Sequence, residues 1–428
     1  MIEPKKFCLL MMLAVLLACG VGNAAAAPQV KDKAGEVKLV GDPANETDFG
    51  RSVAIDGNLI AVGVGADGAN GSVYLYRRAG QNYALEARLE CPDDPIGAEF
   101  GRSVAIKGNT IFVGARFAQV ADTDNDGDID ERDADAGAVY IFKKHGREWQ
   151  MEQKIFSPAP QPKSNFGRAL AIHGDTLIVT ARKFDAVSEN DGTAYAYVFR
   201  NGLWTYQTEI IPDFEPADEA YFGQSVALQG DLLAIGARND NPNKAGSLYV
   251  FRQTSTGWNQ IAKLSPPDGE KNDHYGFSVA LSGNTIAAGA RRADLVKGTK
   301  EETEEGAVYV YFVNGNNVEL LTMLTASDAK AGDEFGQSIT MAGDVIAVGA
   351  PKPGIKGQNA DQGTVYLFRR MGDRWTEINK VVASDGAAGD GFGYSLSAFG
   401  NRIVTGAHFA DINGWPKAGA AYILPLKP

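Results

Sequence analysis

The sequence predicts an all-β fold: a seven-bladed β-propeller of four-stranded antiparallel blades, closed by its N-terminal strand. Three observations carry that expectation. A stretch of the form FGxSVAIxG[ND]xIAVGA opens at Phe49 and recurs at Phe100, Phe166, Phe222, Tyr275, Phe335 and Phe392, and self-similarity at roughly 50 to 60 residues in a strand-rich unit marks a propeller-like repeat. Each unit breaks into four short apolar runs separated by turn signals. The seventh unit stops after its third run, 419–424, while a run resembling a fourth, 36–42, stands ahead of the first unit. Joining those ends closes the ring and removes the edges a linear array would expose. At 428 residues the length alone would allow two or three domains, but units too short to bury a core singly must share one. Residues 35–428 are therefore read as one domain.

Taken in order, residues 1–27 read as an export signal. Lys5 and Lys6 precede the apolar run 7–18, and small residues follow through Ala27. Two cleavage readings fit. The alanines at 24–27 offer small-x-small sites, whereas Leu16-Leu17-Ala18-Cys19 resembles a lipobox that would make Cys19 a lipidated first residue. The apolar run is short for a membrane span and no later segment approaches the needed length. The expectation is an exported protein: secreted, periplasmic or held at the outer surface. Cys8 and Cys19 fall in or beside the signal and leave Cys91 alone in the mature domain, so no disulfide can form within it.

The second unit shows the blade. Residues 103–106 form its first run, Lys107-Gly108-Asn109 a tight turn, 110–115 the second run, 137–142 the third and 149–156 the fourth. The turn repeats as Asp56-Gly57-Asn58, His173-Gly174-Asp175, Gln229-Gly230-Asp231, Ser282-Gly283-Asn284, Ala342-Gly343-Asp344 and Phe399-Gly400-Asn401. Gly and Asn or Asp accept the positive φ that short hairpins require, so the first two runs form an antiparallel hairpin. The fourth run opens with Trp149, Trp204, Trp258 and Trp375, and with Tyr83 and Val318 in two other units. A residue repeated at one structural position is read as packing between blades, with an aromatic ligand cradle as the alternative. No stretch sustains a helical period.

The Phe-Gly opening, the Gly-Ala close of the second run and the Gly-x-Val-Tyr-x-Phe third run resemble the FG-GAP repeats of the integrin α-chain propeller, over residues 36–424. The full Gly-Ala-Pro occurs once, at Gly349-Ala350-Pro351. Integrin repeats often carry an acidic calcium loop between these elements, where this chain has only the tight turn. The later integrin domains and membrane anchor are also missing, so the resemblance implies a stand-alone, bacterial exported type, with adhesion as an analogy. Propellers host many activities, so the resemblance speaks to fold more than to function.

One loop carries a specific chemical motif. Asp122-Thr123-Asp124-Asn125-Asp126-Gly127-Asp128-Ile129-Asp130-Glu131-Arg132-Asp133 fits D-x-D-x-D-G-x-I-x-x-x-[DE]. Calcium takes six to eight hard oxygen ligands; the side chains of Asp122, Asp124 and Asp126, the backbone carbonyl of Asp128, and Asp130 or Asp133 would supply them. Gly127 permits the sharp turn. Flanking strands rather than helices set it apart from an EF-hand, and the expected role of Ca2+ is to order a long loop. The alternative is a solvated acidic loop.

The connections between second and third runs, 116–136, 291–305 and 351–362, are the long ones, and in a propeller they share a face with the loops that precede Phe-Gly. That face would carry Asp93, Asp94, Asp218, Glu219, Asp273, Asp333, Glu334 and Asp390. Arg51, Arg102 and Arg168 follow Phe-Gly, and Arg116, Arg182, Arg238 and Arg291 end second runs. A funnel of arginines would hold an anionic ligand such as an acidic glycan. The competing reading is that these arginines pair with the neighbouring acids and tie blade to blade. The net charge of -12 argues against a nucleic-acid partner.

Signals for catalysis are thin. His145, His173, His274 and His408 fall in different units with no metal-ligand spacing, and no glycine-rich phosphate loop precedes a helix. Two function classes result. The first is an exported, monomeric, calcium-stabilised module that binds a protein or glycan at the cell surface. The second is a propeller hydrolase or lyase acting on polysaccharide through an inward-facing carboxylate pair.

Overall fold

The computed structural model describes residues 30–31, 35–44, 46–65, 70–93, 97–119, 135–213, 218–241, 243–295, 303–351, 361–372 and 374–426. The signal segment 1–27 with Cys19, the acidic loop 122–133 and Asp94 lie outside the described residues.

Seven antiparallel sheets surround a common axis; six add their four strands in chain order from the axis outward, and the seventh takes its outer strands from the N-terminus. The innermost strands are Phe49–Asp56, Phe100–Lys107, Phe166–His173, Phe222–Gln229, Tyr275–Ser282, Ser338–Ala342 and Phe392–Phe399. Each adjoins the next, and the last adjoins the first. No described residue is helical. In blade 2 the first strand begins at Phe100 rather than at 103, because Phe100 pairs with Ala115 across a bulge before Ser103 resumes the ladder.

The repeated motif is the joint between blades. In every blade the residue before Phe-Gly has positive φ, the glycine has φ between 79° and 94°, and the residue after it donates its N–H back to the first carbonyl at 3.0–3.1 Å. That is the type II turn pattern, which demands glycine at its third position. The aromatic ring of each opening is fully buried and packs on the strand-three tyrosine of its own blade, with centroids 5.2–5.8 Å apart. Its N–H meanwhile donates to the preceding blade, as Phe100 N does to Asn70 O at 3.0 Å and Phe49 N to Ala418 O at 3.1 Å. The glycine that opens each third strand is forced by the same contact. A Cβ there would sit 2.0–2.2 Å from the carbonyl oxygen of the next blade's Phe or Tyr.

The serine of the first strand completes the joint. Ser52, Ser103, Ser225, Ser278, Ser338 and Ser395 each donate to the Phe-Gly carbonyl of the following blade at 2.6–2.8 Å. Second-strand glycine makes room for the hydroxyl: a Cβ on Gly63 would lie 2.2 Å from both Ser52 Oγ and Gly101 O. Blade 3 exchanges the pair, with Ala169 in place of serine and Thr180 in place of glycine. Thr180 Oγ1 then bonds back to the Ala169 backbone, accepting from its N–H at 3.1 Å. The tryptophans are packing residues: Trp149 Nε1 donates to Glu86 of blade 1 at 2.9 Å, and Trp204 meets Phe112 of blade 2 edge-on at 5.2 Å.

Closure follows the sequence expectation. Strand Val37–Leu39 pairs with Ala420–Pro425, setting Val37 opposite Ile423 and Leu39 opposite Ala421. Val37 and Leu39 are buried between blades 7 and 1. A two-residue strand, Val30–Lys31, adds a fifth strand outside them, which the sequence pattern did not announce.

Candidate functional site: the arginine-lined mouth of the channel

Register decides which side chains meet. Phe100 pairs with Ala115, Ala115 with Ala138, and Ala138 with Phe156. The start of strand one, the end of strand two, the start of strand three and the end of strand four therefore share one face. All long connections leave from it. The type II turn carries the residue after Phe-Gly out of the ladder at the inner rim, in the order Arg51, Arg102, Arg168, Gln224, Phe277, Gln337, Tyr394 around the ring. The residue following each second strand forms a neighbouring ring: Gly65, Arg116, Arg182, Arg238, Arg291, Pro351 and His408.

All seven arginines singled out from the sequence gather here, each half-buried and each acting electrostatically on others of the set or on Tyr394. Four of them fit the pairing reading. Arg51 meets Asp48 at 3.1 Å, and Arg291 meets Glu334 at 3.2 Å and Gln337 Oε1 at 2.8 Å. Glu99 accepts two bonds from Arg116, at 2.6 and 2.8 Å, and lies 3.9 Å from Arg102. Asp48, Glu99 and Glu334 each occupy the positive-φ position before Phe-Gly, so the turn that exposes the arginine also presents its counter-charge.

The other three do not fit it. Arg168, Arg182 and Arg238 have no carboxylate within ion-pair distance among the described residues; the Nε of each is buried without a hydrogen-bond partner, as it is in Arg102 and Arg291. Arg182 donates to Gln224 Oε1 at 2.8 Å, and Tyr221 packs its ring against both Arg182 and Arg238, 5.5 and 5.0 Å from their guanidinium carbons. In blades 3 and 4 the position before Phe-Gly holds Asn165 and Tyr221, not an acid.

The electrostatics follow. Burial, then the charges of Arg182, Arg102 and Arg116, push Arg168 well below the usual guanidinium range. Burial, then Arg238, Arg116 and Arg102, pull Arg182 down to about 9. Burial and Arg291 lower Arg238. A guanidinium stays protonated at physiological pH, so these directions measure how strongly the surroundings oppose the charge. Burial, then Arg291, Arg238 and Arg292, push His274 down to about 3. Burial would raise Tyr394, but Arg102, Arg51, Arg168 and Arg291 outweigh it and hold the phenol below its usual range. Its ring lies on that of His408, and His408 lies on Phe409, both at 3.8 Å between centroids. His408 is buried with neither ring nitrogen hydrogen-bonded, and is kept neutral by burial, then by Arg51 and Arg102.

Most of the described carboxylates of this face are spent on structure. Asp93 accepts from Tyr140 at 2.7 Å and Lys154 at 3.0 Å. Asp273, Asp333 and Asp390 each accept the N–H three residues back at 2.8 Å, closing equivalent loops, and Glu219 meets Lys244 at 2.9 Å. Burial raises Glu334 and Asp390, but the charges acting on Glu334 are Arg291, Arg292 and Glu304, whereas Asp390 feels Lys38, Asp411 and Asp385. They do not form a facing acid pair. No cluster of three or more potential metal ligands occurs among the described residues.

Tyr221, Gln224, Tyr394 and His408 were not singled out from the sequence. The signal that finds them is positional: aligning the seven units on Phe-Gly and reading the columns immediately before it, immediately after it and after strand two.

Comparison with known proteins follows the same joints. The family model described as FG-GAP repeat matches residues 36–76, 83–142, 149–199, 204–251, 258–311, 320–368 and 375–424. Each segment starts in the outer strand of one blade and ends in the third strand of the next. Among solved structures, the crystal structure of Saccharomyces cerevisiae Sqt1 is similar at 11% identity and a TM-score of 0.48, over 91% of this chain and 97% of that one.

Proposed function

The chain belongs to the FG-GAP repeat family, and on that premise we propose that it is an exported interaction module, adhesion-like, which binds a protein or glycan at the cell surface through the arginine-bearing face. One observation carries this reading: the long connections and all seven arginines converge on one end of the channel, while the opposite end has only tight turns. A rigid scaffold that concentrates its variable loops on one face suits recognition. Most of the described carboxylates of that face are engaged in loop closure and ion pairs, which favours binding over paired-acid hydrolysis. No described helix is long and apolar enough to cross a membrane. Export by the 1–27 signal, with or without lipidation at Cys19, belongs to the same proposal.

Calcium is the proposed cofactor, held by Asp122, Asp124, Asp126, Asp128, Asp130 and Asp133 and ordering the blade 2 connection. Chelation should lower the melting temperature or open that connection to protease; unchanged melting and proteolysis, with no heat of calcium binding, would sink the assignment. For the module itself, the test is a glycan array and a surface-protein pulldown with the full chain, beside a variant carrying a bulky insertion between Asn413 and Gly414, exposed in the connection after the second strand of blade 7 on the arginine-bearing face. Capture that the insertion abolishes supports the reading. Capture indifferent to it, or none, overturns it.

A further inference from the structure

The mouth of the channel is not symmetric in charge. In blades 1, 2 and 6 the residue before Phe-Gly is Asp48, Glu99 and Glu334, and these acids neutralise Arg51, Arg116 with Arg102, and Arg291. In blades 3, 4 and 5 that position is Asn165, Tyr221 and His274, and burial with Arg291 keeps His274 neutral. The arc between them contains Arg168, Arg182 and Arg238, whose charges meet no carboxylate among the described residues. The same turn that supplies a counter-ion elsewhere therefore withholds it here.

What replaces the acids is suited to anion recognition. Gln224 orients Arg182 by accepting from Nη1 at 2.8 Å, which leaves other guanidinium donors uncommitted. Tyr221 stands between Arg182 and Arg238 and offers a flat face to both. Arg168 and Arg238 donate no side-chain hydrogen bond to any described group. Guanidinium forks match planar and tetrahedral oxyanions bidentately, and such bonds strengthen where water is partly excluded. The other four arginines each meet a carboxylate, whereas no described carboxylate lies within ion-pair distance of these three.

We propose that the arc formed by Arg168, Arg182 and Arg238, with Gln224 and Tyr221, is a binding site for an oxyanion: a sulfate, phosphate or carboxylate, free or carried on a larger ligand. This rests on the reading that the arginine-bearing face is the binding face and adds the chemistry that it selects. Neutral ligands would not use the arc.

The test is thermal melting and titration calorimetry on the full chain, with sodium sulfate against sodium chloride at matched ionic strength, and with a sulfated oligosaccharide against its uncharged parent. Arg168→Gln/Arg182→Gln/Arg238→Gln is compared with wild type and with Arg252→Gln, which sits at the opposite end of blade 4 beside Asp231. Sulfate or the sulfated sugar should bind wild type and the Arg252 variant, and the triple variant at least about tenfold more weakly. Binding of inorganic sulfate identifies a free anion as sufficient; binding of the sulfated sugar alone assigns the site to a substituent. Because the substitutions remove like charges, the triple variant should melt no lower than wild type without anion. Should it fail to fold, Arg238→Gln alone makes the same comparison. No anion binding, or equal binding by the triple variant, overturns the proposal. A neutral partner captured equally by wild type and triple variant, with no anion bound by either, would overturn it while leaving the interaction-module reading intact.

Discussion

Replacing Glu86 by glutamine removes a charge that holds blade 1 to blade 2. Glu86 lies on the outer strand Asn82–Glu90 and accepts from Arg77 of its own blade through both carboxylate oxygens, one bond measuring 3.0 Å. From blade 2 it accepts Lys144 at 2.8 Å and Trp149 Nε1 at 2.9 Å. Burial would raise its pKa, but the bonds from Arg77, Lys144 and Trp149 outweigh that and bring it from 4.5 to about 2. The side chain is only 13% exposed, so solvent screening is modest.

The sign follows from linkage. A carboxyl whose folded pKa is depressed stabilises the fold above its unfolded pKa and loses that contribution as pH falls through the folded value. A shift of this size corresponds to about 3 kcal/mol at pH 7, falling to about 1.5 kcal/mol at pH 3. Urea unfolding of wild type and Glu86→Gln at pH 7, 5 and 3 should therefore give a destabilisation that shrinks by roughly 2 kcal/mol across the series. A difference that is constant with pH would refute the electrostatic account and leave only lost packing. A variant within about 0.5 kcal/mol of wild type at pH 7 would refute the tie itself.

Other outcomes test the joints, the closure and the mouth. Thr180→Gly should destabilise by about 1 kcal/mol, and adding Ala169→Ser should restore stability by rebuilding the hydroxyl bond to Gly223 O that the other joints have; a double variant no better than the single would refute that exchange. Leu39→Ala, at a fully buried position of the closing strand, should cost about 2 to 5 kcal/mol, whereas Leu320→Ala, 43% exposed, should stay within about 0.5 kcal/mol. Equal melting shifts for the two would mean that the N-terminal strand does not seal the ring. In an alkaline absorbance titration, Tyr394→Phe should lose a tyrosinate step that wild type shows below pH 10, since neighbouring guanidinium groups lower that phenol. Superimposable titrations would count against the guanidinium groups surrounding it.

Much of the fold was legible because the repeated motif is itself the contact between neighbours. The glycines of Phe-Gly and of the third-strand opening are the places where one backbone meets the next, and the serine reaches across to the next carbonyl. Tryptophan at the head of the fourth strand was read as packing between blades, and Trp149 and Trp204 pack there. The short strand Val30–Lys31 was missed, since two residues carry no period. The candidate site was half legible. Sequence identified the seven arginines and offered two accounts of them; acid pairing holds for Arg51, Arg102, Arg116 and Arg291, and anion binding is our proposal for the other three.

A nearest-neighbour repeat encodes its interface in every copy, so seven copies and a complementary pair of ends specified blade number, strand order and closure from the sequence alone. Charge balance at the mouth is different in kind. Whether an arginine is neutralised depends on which side chains from three or four separate loops arrive within about 4 Å of it, and that convergence exists only once the ring has closed. Tertiary structure therefore decided that Arg51, Arg102, Arg116 and Arg291 meet carboxylates, and that among the described residues Arg168, Arg182 and Arg238 do not.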